Sequence, residues 1–184
     1  MNLAIPLSAL QAVLVPETHL AATAPGYVES LDRLLAAIAE VESGGDRWAA
    51  HREADGSLAC GLYQIRPVYL ADANRLVRQY RLPVPPHPKT GVPRDGYAKP
   101  AVYDPDAARR IVCLVLAHYA VHWIQAGHGR RRGVGDAVPA EILARIHNGG
   151  YQGLVEHPDR TDAYRAKVRT ALAAQAAEDA EDTR

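Results

Sequence analysis

The sequence has no excess of charge of either sign: 21 Lys and Arg balance 21 Asp and Glu in 184 residues. A protein held to nucleic acid by its overall field carries a basic surplus, so that class loses its main support. Cysteine is scarce. Cys60 and Cys113 are the two present; they can make one disulfide at most, which excludes a cross-linked mini-protein and leaves the redox compartment open. No apolar run reaches the length of a membrane span. The best, Ile111 to Gly127, is uncharged but contains His118, His122 and Gln125 and falls short of ~20 apolar residues, so it reads as a buried helix. Strand signals are few and there is no internal repeat. The content of 48% hydrophobic and 23% charged residues is ordinary for a globular chain, enough to bury a core. At ~150 residues per domain the length corresponds to about one.

Residues 1–26 stand apart as an apolar leader. Met1 to Pro16 is uncharged and Ala21-Ala22-Thr23-Ala24 is similar to a cleavage region. No Lys or Arg precedes it, however, and Pro6 and Pro16 interrupt it, so a cleaved signal peptide and an apolar arm both stay open. From Ser30 the pattern LDRLLAAIAEVES predicts a helix stopped by Gly44-Gly45. An Asp55-Gly56 turn within 51–65 predicts a small β-hairpin. A helix should follow Pro67, with Val68, Leu70, Leu76 and Val77 as its apolar positions. Residues 81–100 hold six prolines, which excludes regular structure and predicts a long surface loop. Asp104-Pro105 is an N-cap signature, and the helix it opens, Asp106 to about Gln125, is apolar nearly all round and should be central. Gly127 to Gly135 is a basic loop. Pro139 should open a helix, AEILARIHN, ended by Gly149-Gly150, and Thr161 should cap the last one before an acidic tail, 178–184, that frays. The fold class is therefore mainly α.

The first helix carries one residue out of place. Leu31, Leu34, Leu35 and Ile38 lie within about 60° of one direction at 100° per residue. Glu42 falls about 20° from Leu31, in the middle of that stripe. Burial and the partial negative charge of the last helical carbonyls both disfavour an ionised side chain there. Such a position suits a general acid, which must hold its proton until the substrate arrives.

Glu42-Ser43 is followed by Gly61-Leu62-Tyr63-Gln64-Ile65, then Ile146-His147-Asn148-Gly149-Gly150, then Tyr164. In this order the set resembles the soluble lytic transglycosylases, lysozyme-like enzymes of the bacterial cell wall. Their motifs run E-S, G-L-M-Q, A-Y-N-A-G and a late tyrosine. The resemblance implies a lysozyme-like single domain over residues 27–177, with a buried central helix and a small β-hairpin. It makes Glu42 the catalytic acid and Ser43 its companion. Gln64 would lie near the N-acetyl and hydroxyl groups of the sugar, Asn148 on the cleft floor, and the Tyr164 hydroxyl near the carboxyl. Tyr63 stands where the family has Met and would form a bulky wall; His147 stands where it has Tyr. The polar contact to the N-acetyl group falls to Asp55 or Ser57, and the sequence does not choose between them.

No second carboxylate is marked by position, although Asp46, Glu53 and Asp55 are near in sequence. A lone acid suits substrate assistance, an exception to the two-carboxylate scheme. The resemblance implies cleavage of the β-1,4 bond between N-acetylmuramic acid and N-acetylglucosamine, leaving 1,6-anhydromuramoyl ends. It implies no cofactor, peptidoglycan strands as partner, and a monomer in the periplasm or outside the cell, serving wall turnover, phage entry, or a secretion or conjugation apparatus. The rivals are a muramidase or chitinase-type hydrolase on the same fold, a non-catalytic wall-binding protein, and a metal-binding protein. The last rests on His118 and His122, four apart, with His128 downstream. The run H-Y-A-V-H lacks the glutamate of a helical zinc protease, which favours satisfied helix histidines.

Overall fold

The computed structural model describes residues 4–6, 25–84, 96–127 and 137–182. The elements are β1 (Ala4–Pro6), α1 (Pro25–Ser43), β2 (Ala50–Arg52), β3 (Leu58–Cys60), α2 (Pro67–Tyr80), a 3-10 turn (Lys99–Tyr103), α3 (Pro105–Gln125), β4 (Ala137–Pro139), α4 (Ala140–Val155) and α5 (Pro158–Asp182). Helix α3 lies at the centre, packed between α2 and α4, while α5 packs on α1 and α4. It buries Ile111 to Ala117 without a break. The expected cap is in place: the Asp104 side chain accepts from the Ala107 N–H at 2.8 Å, with Pro105 at the first helical position.

The hairpin forms as expected. β2 and β3 pair antiparallel with His51 opposite Ala59, and the Ser57 N–H closes the turn on Asp55 Oδ1 at 2.9 Å. A second small sheet was not foreseen: β1 pairs antiparallel with β4, setting Ile5 opposite Val138, both fully buried. Part of the apolar leader thus fills the core; the rest of residues 1–24 lies outside the described residues, as do 85–95 of the proline-rich stretch and 128–136 of the basic loop, His128 included. No helix among the described residues is long and apolar enough to cross a membrane.

Several sequence expectations need correction. Helix α1 starts at Pro25 rather than near Ser30. In α2 the buried positions are Ala73, Leu76 and Val77, and Val68 is 67% exposed. Helix α4 does not stop at Gly149-Gly150: Gly150 (φ 62°, ψ −167°) kinks it and the chain continues helical to Val155, because only glycine adopts that backbone cheaply. Thr161 is no cap. Helix α5 begins at Pro158, and Thr161 is buried one turn inside it, donating to the Pro158 carbonyl at 2.9 Å. The acidic tail stays helical to Asp182 rather than fraying at 178. Cys60 and Cys113 are both buried free thiols.

Candidate active site

Glu42 sits in the last turn of α1, which two glycines terminate. The Gly44 N–H bonds Glu40 O at 3.0 Å and the Gly45 N–H bonds Ala39 O at 3.3 Å, with φ of 60° and 80° at the two glycines. This is the left-handed exit that satisfies the final carbonyls. The stripe predicted for this helix is the buried one, Leu31, Leu34, Leu35 and Ile38. Glu42 continues it into the open: its side chain is 19% exposed.

Around the carboxyl stand three rings. His147 on α4 is buried, and its Nε2 lies 3.4 Å from Glu42 Oε1 and 3.2 Å from the Tyr63 carbonyl oxygen. That carbonyl only accepts, so Nε2 carries the ring proton in this contact. Nδ1 then faces the Tyr69 hydroxyl at 3.4 Å, with the two ring centroids 5.4 Å apart. Tyr164 on α5 lies 6.3 Å from the His147 ring, centroid to centroid. Its hydroxyl is buried and makes no hydrogen bond of ordinary geometry, with the Glu42 carboxyl as the neighbour that acts on it. Burial first, and the charge of Glu42 second, hold its pKa well above the ordinary tyrosine range. A buried donor left unpaired is costly, and it marks a place where a ligand or the carboxyl can meet it.

Two features position α4 and α5. Arg145 donates to the Pro158 carbonyl at 2.9 Å and to Thr161 Oγ1 at 3.1 Å, and pairs with Asp162. Gly149 lets the helices close: a Cβ there would lie 2.7 Å from Thr161 Cγ2. The turn at 61–64 is built as tightly. Gly61 (φ 77°) has room for no side chain, since a Cβ would come 2.0 Å from the Val102 carbonyl oxygen.

The other residues singled out from the sequence divide into two groups. Asn148 adjoins His147, and its carbonyl accepts from Arg66 at 3.3 Å, joining α4 to the end of the turn. Ser43 is spent on the scaffold, its single proton shared between Leu62 O at 2.8 Å and Ala39 O at 3.0 Å. Gln64 adopts a positive φ of 46° and spends its amide N–H groups on Gly61 O at 3.0 Å and Ala49 O at 3.3 Å. Only its side-chain oxygen remains for a ligand. Asp55 is exposed at the hairpin tip, its carboxyl held below the usual range by its bonds to Ser57. Tyr63 forms no cleft wall. Its ring is buried in the core, where burial raises the hydroxyl pKa to about 12, and only the carbonyl serves the site. Tyr69 was missed by sequence reasoning. It shares a face of α2 with Ala73 and Leu76, at i+4 and i+7, and that spacing was the available signal.

No family model matches the chain, and neither does any curated protein. Among solved structures it is similar to the crystal structure of Tapes japonica lysozyme, with a TM-score of 0.50 and 24% sequence identity over 74% of this chain and 85% of that one. The fold is lysozyme-like. Within it, one carboxyl at a helix end meets a buried histidine and an unpartnered tyrosine hydroxyl. That is an arrangement for moving one proton at a sheltered oxygen.

Proposed function

We propose that the chain is a lytic transglycosylase acting on peptidoglycan, with Glu42 as its single acid and base. The observation that carries the reading is the lone carboxyl. Among the described residues no Asp or Glu other than Glu42 pairs with His147, and Asp72, whose charge reaches Tyr69, is held by Arg75 at 2.9 Å and Tyr119 at 2.7 Å. The lysozyme-like fold supports a glycan as substrate, and the ordered motifs ending in Tyr164 support this class of cleavage.

Glu42 gives its proton to the glycosidic oxygen between N-acetylmuramic acid and N-acetylglucosamine as the C1–O bond breaks. The N-acetyl oxygen of the muramoyl residue bonds to C1 and carries the positive charge. The carboxylate now on Glu42 faces the Nε2–H of His147, which stabilises the ionised form between the two transfers. It then takes the proton of the sugar's own 6-hydroxyl, whose oxygen displaces the N-acetyl oxygen at C1 and closes the 1,6-anhydro ring. Glu42 is protonated again. The buried Tyr164 hydroxyl supplies a donor to the reacting oxygens without reorganisation, as preorganised polar groups do. On this reading the protein works in the periplasm or outside the cell, as a monomer and without a cofactor.

Digestion of isolated sacculi, with fragments read by mass, tests the proposal. Anhydro-ended fragments are lighter by one water than hydrolysed ones and are the expected products. Fragments carrying only reducing ends would assign the site to a muramidase or chitinase-type hydrolase instead.

A further inference from the structure

We infer that His118 and His122 form a binding site for one divalent transition-metal ion on α3, outside the candidate active site. The residues stand one helical turn apart, and their ring centroids are 4.5 Å apart. An i, i+4 pair presents both side chains on one face, the spacing that sets two imidazoles on one ion in helical zinc sites. His118 Nδ1 lies 2.9 Å from the Tyr80 hydroxyl. An ion taken on Nε2 requires the ring proton on Nδ1, and the Tyr80 oxygen stands where it accepts that proton. Ligating histidines are held by such a partner on the second nitrogen.

His122 is exposed, and its ring lies against those of His118 and Tyr151, so it can turn onto a shared ion. Asp72 is no ready third ligand, because Arg75 and Tyr119 occupy its two oxygens. No group of three or more His, Cys, Asp or Glu able to hold a metal occurs among the described residues. With two ligands from the described residues, the remaining coordination positions are open to water. An imidazole pair without carboxylate or thiolate suits copper, nickel and zinc over magnesium or calcium, and the Irving–Williams order puts Cu²⁺ first.

Calorimetric titration of tag-free, chelator-washed full-length protein with Cu²⁺, Ni²⁺ and Zn²⁺ at neutral pH tests the site. One ion per chain is expected, with Cu²⁺ bound tightest. Tyr80→Phe should weaken it about tenfold, and His118→Ala and His122→Ala each by more. His157→Ala, at an exposed histidine ahead of α5, should change nothing. His122 is exposed, so its variant keeps the test open if His118→Ala fails to fold; matching melting curves without metal separate a lost ligand from a lost fold. Absent binding, or binding that survives His122→Ala, overturns the proposal. Neither result bears on cleavage of glycan.

Discussion

Two parts of the molecule meet at Glu42, and they are held in opposite ways. The first, the end of α1 with the 61–64 turn, is tied by the side chains that the motifs single out: Ser43 binds the Leu62 carbonyl and Gln64 the Gly61 and Ala49 carbonyls. The second, α4 against α5, is tied by residues outside the site, namely Arg145, Thr161 and Asp162, and by the absence of a side chain at Gly149. In the first part the polar groups serve the scaffold, and the proposed chemistry falls to Glu42 alone. In the second the scaffold is built elsewhere, which leaves His147 and Tyr164 to the site.

The largest effect should come from Gly61→Ala in the first part. A left-handed backbone costs a residue with a side chain about 1–2 kcal/mol, and overpacking against the Val102 carbonyl adds about 1–3 kcal/mol. Thermal melts should show a fall of many degrees; an unchanged melting temperature would mean that the turn is looser than described. Gly149→Ala tests the second part. The clash with Thr161 costs about 1–3 kcal/mol, offset by the ~1 kcal/mol that alanine gains over glycine in a helix. Thr161→Ser removes the clashing methyl and keeps the oxygen that Arg145 uses. In that background Gly149→Ala should turn neutral or stabilising, and strict additivity in the cycle would contradict close helix contact.

The two tyrosines sharpen the contrast. Tyr164→Phe removes an unpartnered buried hydroxyl, so stability should hold or rise by up to ~1 kcal/mol, while turnover of glycan falls about tenfold, equivalent to about 1.4 kcal/mol in the barrier. Tyr63→Phe, facing the core, should leave turnover unchanged. Equal losses from both would erase the distinction. Ser43→Ala is the mildest change. It should cost about 1 kcal/mol in denaturant unfolding, with substrate affinity unaltered; a large change in KM would return Ser43 to the substrate.

Much of this was legible in the chain. The 100° arithmetic that sets Glu42 among leucines is local geometry, and so are the glycine stop at 44–45 and the Asp104 cap. What the sequence hid is non-local or masked by a stronger local cue. Gly149-Gly150 looked like one helix stop, yet the first glycine serves contact with α5 and the second bends a helix that goes on. Thr161 looked like a cap because threonine often is one, but Pro158 opens α5 and Thr161 is held by Arg145 across the interface. The direction of Tyr63 depends on a positive-φ turn at Gly61 and Gln64, which periodicity does not encode. The β1–β4 pair joins positions too far apart for any window to link.

The proton on one side chain decides the account. Sacculi treated with equal amounts of wild type and Glu42→Gln, the variant first shown to melt like wild type, measure that proton directly. Loss of general acid catalysis costs ~10²–10⁴-fold, and because one carboxyl serves both transfers the release of anhydro-ended fragments should fall by more. Release at an undiminished rate from the folded variant would contradict the assignment of Glu42 and the reaction built on it.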